Sequence, residues 1–268
     1  MSRNSARDRR KSRLGSAHVV VFLAVLVLTL YRAQAQNAAG PLPDAPQPQN
    51  ESRDAITLGN TPRHVLADQA AIWTSPAHLR DSNAAGPVVL VLATAALITA
   101  DHEIMAKHFM DASLNQHADT ASNGLLGGFV AAPLIIYGLG RIHQDDHATE
   151  TGILGGEAMV DSLAVDEVLK LISLRERPAL DGAKGRFFQT SVGFNSSFPS
   201  THSMIAWSSA AVIAGEYTGP LTLLTAYGLA TGVSISRVAA RQHFPSDVLV
   251  GSGVGWMIGR YIVRRRRH

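Results

Sequence analysis

Three short segments of the 268-residue chain carry side chains whose types and spacing suit phosphoryl chemistry. The first is Lys170-Leu-Ile-Ser-Leu-Arg-Glu-Arg177-Pro178. A spacing of seven residues is close to two helical turns, which puts Lys170 and Arg177 on one face of a helix that Pro178 ends. The second is Ser197-Phe-Pro199-Ser200-Thr201-His202 ahead of an apolar run. Pro199 suits the first helical position, so the N–H groups of Ser200, Thr201 and His202 are expected to face outward as an anion site. Ser200 adds a hydroxyl, and His202 a group that titrates near neutrality. The third is Ser236-Arg237, then His243-Phe-Pro245-Ser-Asp247. Pro245 is expected to open a helix, with Asp247 in its first turn accepting a hydrogen bond from one His243 nitrogen and freeing the other as a nucleophile. Arg237 offers a planar fork for phosphate oxygens. Taken singly, each segment is equally an ordinary helix terminus or cap. Three together are not.

The combined pattern, Lys-x6-Arg-Pro, then Pro-Ser-x-His, then Ser-Arg-x5-His-x3-Asp, resembles the signature of the type-2 phosphatidic acid phosphatase and vanadium haloperoxidase superfamily. The resemblance spans Lys170 to Asp247 and implies an all-α helical bundle. It implies that His243 attacks phosphorus to form a phosphohistidine, that Asp247 orients His243, and that His202 protonates the leaving alcohol. Lys170, Arg177, Ser200, Thr201 and Arg237 would then hold the phosphoryl oxygens, with no metal required. One position departs from the pattern: the family usually has Gly where this chain has Thr201, and a Cβ there crowds the phosphate or shifts the backbone. Two other readings keep the same residues. Vanadate resembles phosphate and would serve as a haloperoxidase cofactor, although relatives of that type resemble longer chains. A non-catalytic membrane or scaffold protein would retain the residues as a decayed site.

The elements that must position these residues read as helices. Apolar segments at about 87–100, 124–140, 151–175, 203–218, 220–236 and 246–263 are long enough for helices and lack the alternation of strands. The expectation is an all-α bundle of about six core helices, occupying 87–263. Residues 1–18 are basic, 19–30 are an unbroken apolar run, and Ala33-Gln34-Ala35 is a small-x-small site, so 1–35 read as a secretory signal peptide. Residues 36–86 read as a Pro-rich linker and N-terminal extension, and 264–268 as a basic tail. The location expected is periplasmic, soluble or membrane-associated. An integral inner-membrane protein is the alternative, but the apolar runs are short for a bilayer.

Composition narrows the class. With no Cys, disulfides, thiolate metal sites and cysteine nucleophiles are excluded. Of 24 Lys and Arg, seven lie in the first 35 residues beside Asp8 alone, so the remaining 17 face 20 acidic residues and no nucleic-acid surface is expected. The substrate expected is a phosphate ester or lipid phosphate. Asp101-His102-Glu103 with His108, and His143 with His147, read as solvated connections rather than metal ligands.

Overall fold

The computed structural model describes residues 56–75 and 81–267. The signal peptide expected from the sequence, and residues 36–55 and 76–80 of the linker and extension, lie outside the described residues. Seven α-helices are present among the described residues: α1 (Thr61–Thr74), α2 (Asp81–Lys107), α3 (Ala112–His143), α4 (Asp146–Ser173), α5 (Thr201–Glu216), α6 (Pro220–Ala239) and α7 (Pro245–Arg267). There is no strand among the described residues, and the chain is all-α as expected. Six helices coincide with the six apolar segments. The seventh, α1, falls in the segment read as an extension.

Helix α5 occupies the centre. Eleven of its 16 residues are buried, and most of them are small, Ser203, Ala206, Ser208, Ala210, Ala211 and Gly215 among them. A helix enclosed on all sides has no polar stripe, which explains why its sequence shows a run rather than a period. One core cluster, with Leu154, Ala158, Val165, Val212, Ile258 and Ile262, binds α4, α5 and α7 together. A second, with Phe129, Ala206, Ala210, Ala226, Ala230 and Val233, joins α3, α5 and α6.

The approach of α7 to α5 is set by glycine. An added Cβ at Gly251 would lie 2.5 Å from the Ser200 carbonyl oxygen, at Gly255 2.2 Å from that of Met204, and at Gly259 2.4 Å from that of Ser208. These positions recur every four residues along one face of α7. The two helix backbones therefore nearly touch, and their N-termini are brought level: the Ser200 N–H donates to the Asp247 carbonyl at 3.1 Å. Gly255→Ala is expected to push the helices apart at a cost of about 1–3 kcal/mol, read as a lower urea midpoint with the slope unchanged. A midpoint equal to wild type would contradict this packing.

The basic run at the C-terminus is the last turn of α7, not a free tail. Arg265 pairs with buried Asp68 of α1, and Arg266 reaches Asp68 at 3.1 Å and Glu157 of α4 at 2.6 Å. The buried carboxylates hold the arginines inward and tie α1 to the bundle. This carboxylate group, with Asp161, is drawn together at the middle of α4, nine or more residues from Lys170.

Candidate active site

Helix α4 ends at Ser173, and Leu174 takes a left-handed cap at φ 43°, ψ 48°. Arg177 therefore lies four residues past the helix end, and the expectation that it shares a helical face with Lys170 is corrected. Pro178 disfavours the α conformation at Arg177, and the extended stretch is fixed by backbone bonds: Glu176 N–H to the Arg186 carbonyl at 2.9 Å and Ser197 N–H to that of Arg175 at 2.8 Å. The turn still delivers Arg177 to the site, where it donates to the Asn195 and Gln242 side chains at 3.0 and 3.1 Å.

Helix α5 starts two residues later than expected, at Thr201 rather than Pro199. Ser200 is its N-cap, accepting from the Ser203 N–H, and Pro199 precedes it through a cis bond to Phe198. The Ser200 N–H is committed to Asp247, so the N–H groups of Thr201 and His202, not three in a row, are left at the positive end of the helix dipole. Ser200 is fully buried.

His243 is 2% exposed and Asp247 fully buried. The expected hydrogen bond between them is absent: Nδ1 lies 3.7 Å from Asp247 Oδ2 and donates instead to the Ser197 carbonyl at 2.7 Å. That carbonyl fixes the tautomer and leaves Nε2 with no hydrogen-bonding partner among the described residues. Asp247 is occupied elsewhere, capping the Phe244 N–H at 2.8 Å and pairing with Arg175 at 2.6 Å. Burial holds the His243 imidazole well below its usual pKa, and the charges of Arg177 and Arg237 push the same way. A neutral ring with a free lone pair, near enough to cations to feel their charge, can serve as a nucleophile for an anion they hold.

His202 donates through Nε2 to Asn123 Oδ1 at 2.9 Å. Burial, then the neighbouring Arg237, lowers its pKa to about 3. Arg237, 5% exposed, donates to Asp119 at 2.8 Å and to Ser122 at 3.1 Å. Lys170 donates to Asp166 at 2.9 Å and to the Thr201 hydroxyl. The eight residues singled out in the sequence thus converge at one end of the bundle, where α4, α5, α6 and α7 meet.

Several partners escaped the sequence reading. Asp119, Ser122 and Asn123 come from α3, which offers no motif. Arg175 sits inside the first segment but at a position given no role. It is 2% exposed, pairs with Asp101 at 2.8 Å as well as Asp247, and lies between the Phe187 and Phe244 rings at 4.6 and 4.0 Å. Asp101, read as part of a solvated connection, is in fact buried inside α2 and also accepts from Ser246. Its sequence neighbours explain the misreading: Glu103 pairs in water with Lys107, and only Asp101 turns inward. His102 bonds the Ala183 carbonyl at 3.0 Å, and His147 bonds Glu216 at 3.1 Å.

Residues 151–267 match the family model described as PAP2 superfamily, a segment that holds all eight site residues but not α3. No curated protein matches the chain. Among solved structures, a transmembrane PAP2-type phosphatidylglycerolphosphate phosphatase from Bacillus subtilis is similar at 22% identity, with a TM-score of 0.45, over 77% of this chain and 94% of that one.

Proposed function

We propose that this protein, whose residues 151–267 match the PAP2 superfamily model, is a phosphatase that hydrolyses phosphate monoesters, lipid phosphates included, through a phosphohistidine and without a metal. The observation that carries the reading is His243: buried, neutral, tied at Nδ1 to the Ser197 carbonyl, and within the electrostatic reach of Arg177, Arg237 and Lys170. His243 Nε2 attacks phosphorus while the ester P–O bond breaks, and the departing oxygen takes a proton from His202. Water then attacks the phosphohistidine, giving its proton to His202, and inorganic phosphate leaves as the P–N bond breaks. The three cations and the Thr201 and His202 N–H groups meet the charge that gathers on the equatorial oxygens.

A lipid substrate is supported by the surface. Val89 and Leu92 of α2, Leu134 and Ile142 of α3, and Leu221 and Leu224 of α6 are all exposed, and each is 60% exposed or more. Helices α2 and α3 contain stretches long and apolar enough to cross a membrane. We read these faces as membrane-associated. The test is phosphate release, in chelator, from an aryl phosphate and from dispersed phosphatidate. Release from either supports the reading, faster release from phosphatidate supports the lipid class, and release from neither overturns it.

The pH dependence follows from His202. At neutral pH the free protein holds His202 unprotonated, so the proton for the leaving group must enter with the substrate. A phosphomonoester has its second pKa near 6. Above about pH 6, kcat/KM is therefore expected to fall towards tenfold per pH unit as the monoanion disappears. The acid side has a different cause. Both histidines are neutral in the fold, with pKa values below the unfolded 6.5, so the unfolded chain takes up more protons below that pH and stability declines as pH falls through about 6.5. A kcat/KM flat from pH 6 to 9 would contradict the proton route.

A further inference from the structure

Three side chains close a ring beside the anion site. Lys170 Nζ donates to Asp166 Oδ2 at 2.9 Å and to Thr201 Oγ1, and the Thr201 hydroxyl donates to the same carboxylate oxygen at 2.7 Å. Asp166 is fully buried and Lys170 6% exposed. The second carboxylate oxygen, Oδ1, is sealed from solvent with no hydrogen-bonding partner. An ammonium group has three donors, and the ring commits two of them. Glu167, 3.7 Å away and partly exposed, is too distant to hold the third by a hydrogen bond. That third donor is what Lys170 can offer a substrate. The threonine completes the arrangement: glycine at position 201, which the sequence resemblance leads one to expect, would leave Asp166 bonded to Lys170 alone.

We propose that Asp166, bridged by Thr201, is a positioning residue that aims Lys170 and also lowers the affinity of the site for phosphate anions. The inference rests on the phosphatase reading above. Asp166 sets a negative charge one ammonium group away from the bound anion, and in a buried setting such a charge is poorly screened. It weakens the hold on a ground-state dianion and on the phosphate product, while the two fixed donors keep Lys170 in the orientation that serves the transition state. The ring thus favours turnover over tight product binding.

The test uses the full chain with orthovanadate as the binding probe, measured by calorimetry, and kcat and KM on an aryl phosphate. Asp166→Asn removes the charge and is expected to tighten vanadate binding about tenfold or more while kcat falls about tenfold or more. Thr201→Val opens the ring but keeps the carboxylate, so kcat falls with no gain in vanadate affinity. Thr201→Ser restores the hydroxyl and wild-type values. Vanadate binding that is unchanged or weaker in Asp166→Asn overturns the proposal, as does a Thr201→Ser protein no better than Thr201→Val. Wild-type turnover separates the two readings: tighter vanadate binding in Asp166→Asn supports the ring even if wild type hydrolyses nothing, and that second result would count against the phosphatase alone.

Discussion

His243→Ala is expected to lower kcat by about 10⁴-fold or more, to the level of the uncatalysed reaction plus whatever the anion site alone contributes. No other imidazole can take its place: His202 meets Asn123 through its own ring nitrogen and sits at the helix terminus where the leaving oxygen departs. The anion site is built from groups that the substitution does not touch, so vanadate should still bind the variant. Removing one of the cations acts differently. It withdraws one contact to the transition state, a loss of about 10²–10³ in rate, and leaves the nucleophile in place. The contrast between near-complete loss at His243 and partial loss at Lys170, Arg177 or Arg237 is the kinetic signature of the proposed roles. An alanine variant of His243 that keeps more than a hundredth of wild-type kcat would contradict them.

Arg175→Met is expected to cost about 3–5 kcal/mol of stability, the largest structural effect of any single change considered. Its guanidinium is the counter-charge of two buried carboxylates, Asp101 at 2.8 Å and Asp247 at 2.6 Å, and also donates to Ser246 at 2.7 Å. Methionine keeps contact with the Phe187 and Phe244 rings but leaves both carboxylates buried without a cation. Asp247 also caps the Phe244 N–H at the start of α7, immediately after His243. The loss should therefore reach the nucleophile, and kcat should fall with stability. Chemical denaturation measures the first effect. Pairing Arg175→Met with Asp101→Asn should recover part of the loss, because the two residues share one interaction. Strictly additive losses would contradict the ion-pair account.

What could be read from sequence follows from how each feature is encoded. The core helices announce themselves because their burial demands long apolar runs, and the anion site does so because cations, a helix N-terminus and a histidine must recur at set spacings. Helix α1 is silent for a physical reason: its two buried residues are polar, His64 and Asp68, set against Glu157 and the α7 arginines, and only a partly buried Ile72 reaches the apolar core, so no apolar period marks it. Asp119 and Asn123 are equally silent, since a polar residue that meets its partner more than 70 positions away resembles any surface residue. The face shared by Lys170 and Arg177 failed because spacing assumes an unbroken helix, whereas the left-handed Leu174 ends it after Ser173. The tautomer of His243 was assigned to a side chain when a backbone carbonyl holds it. Backbone acceptors carry no sequence signal.

The central claim is that phosphoryl transfer passes through His243, and the direct test is to trap the intermediate. Rapid acid-free quenching of the wild-type protein with an aryl phosphate, followed by phosphorus NMR and peptide mass spectrometry, should show an acid-labile, nitrogen-linked phosphoryl group on His243, absent from the alanine variant. A phosphoryl group on another residue, or steady turnover with no such species when phosphohistidine hydrolysis has been slowed by His202→Asn, would contradict the account.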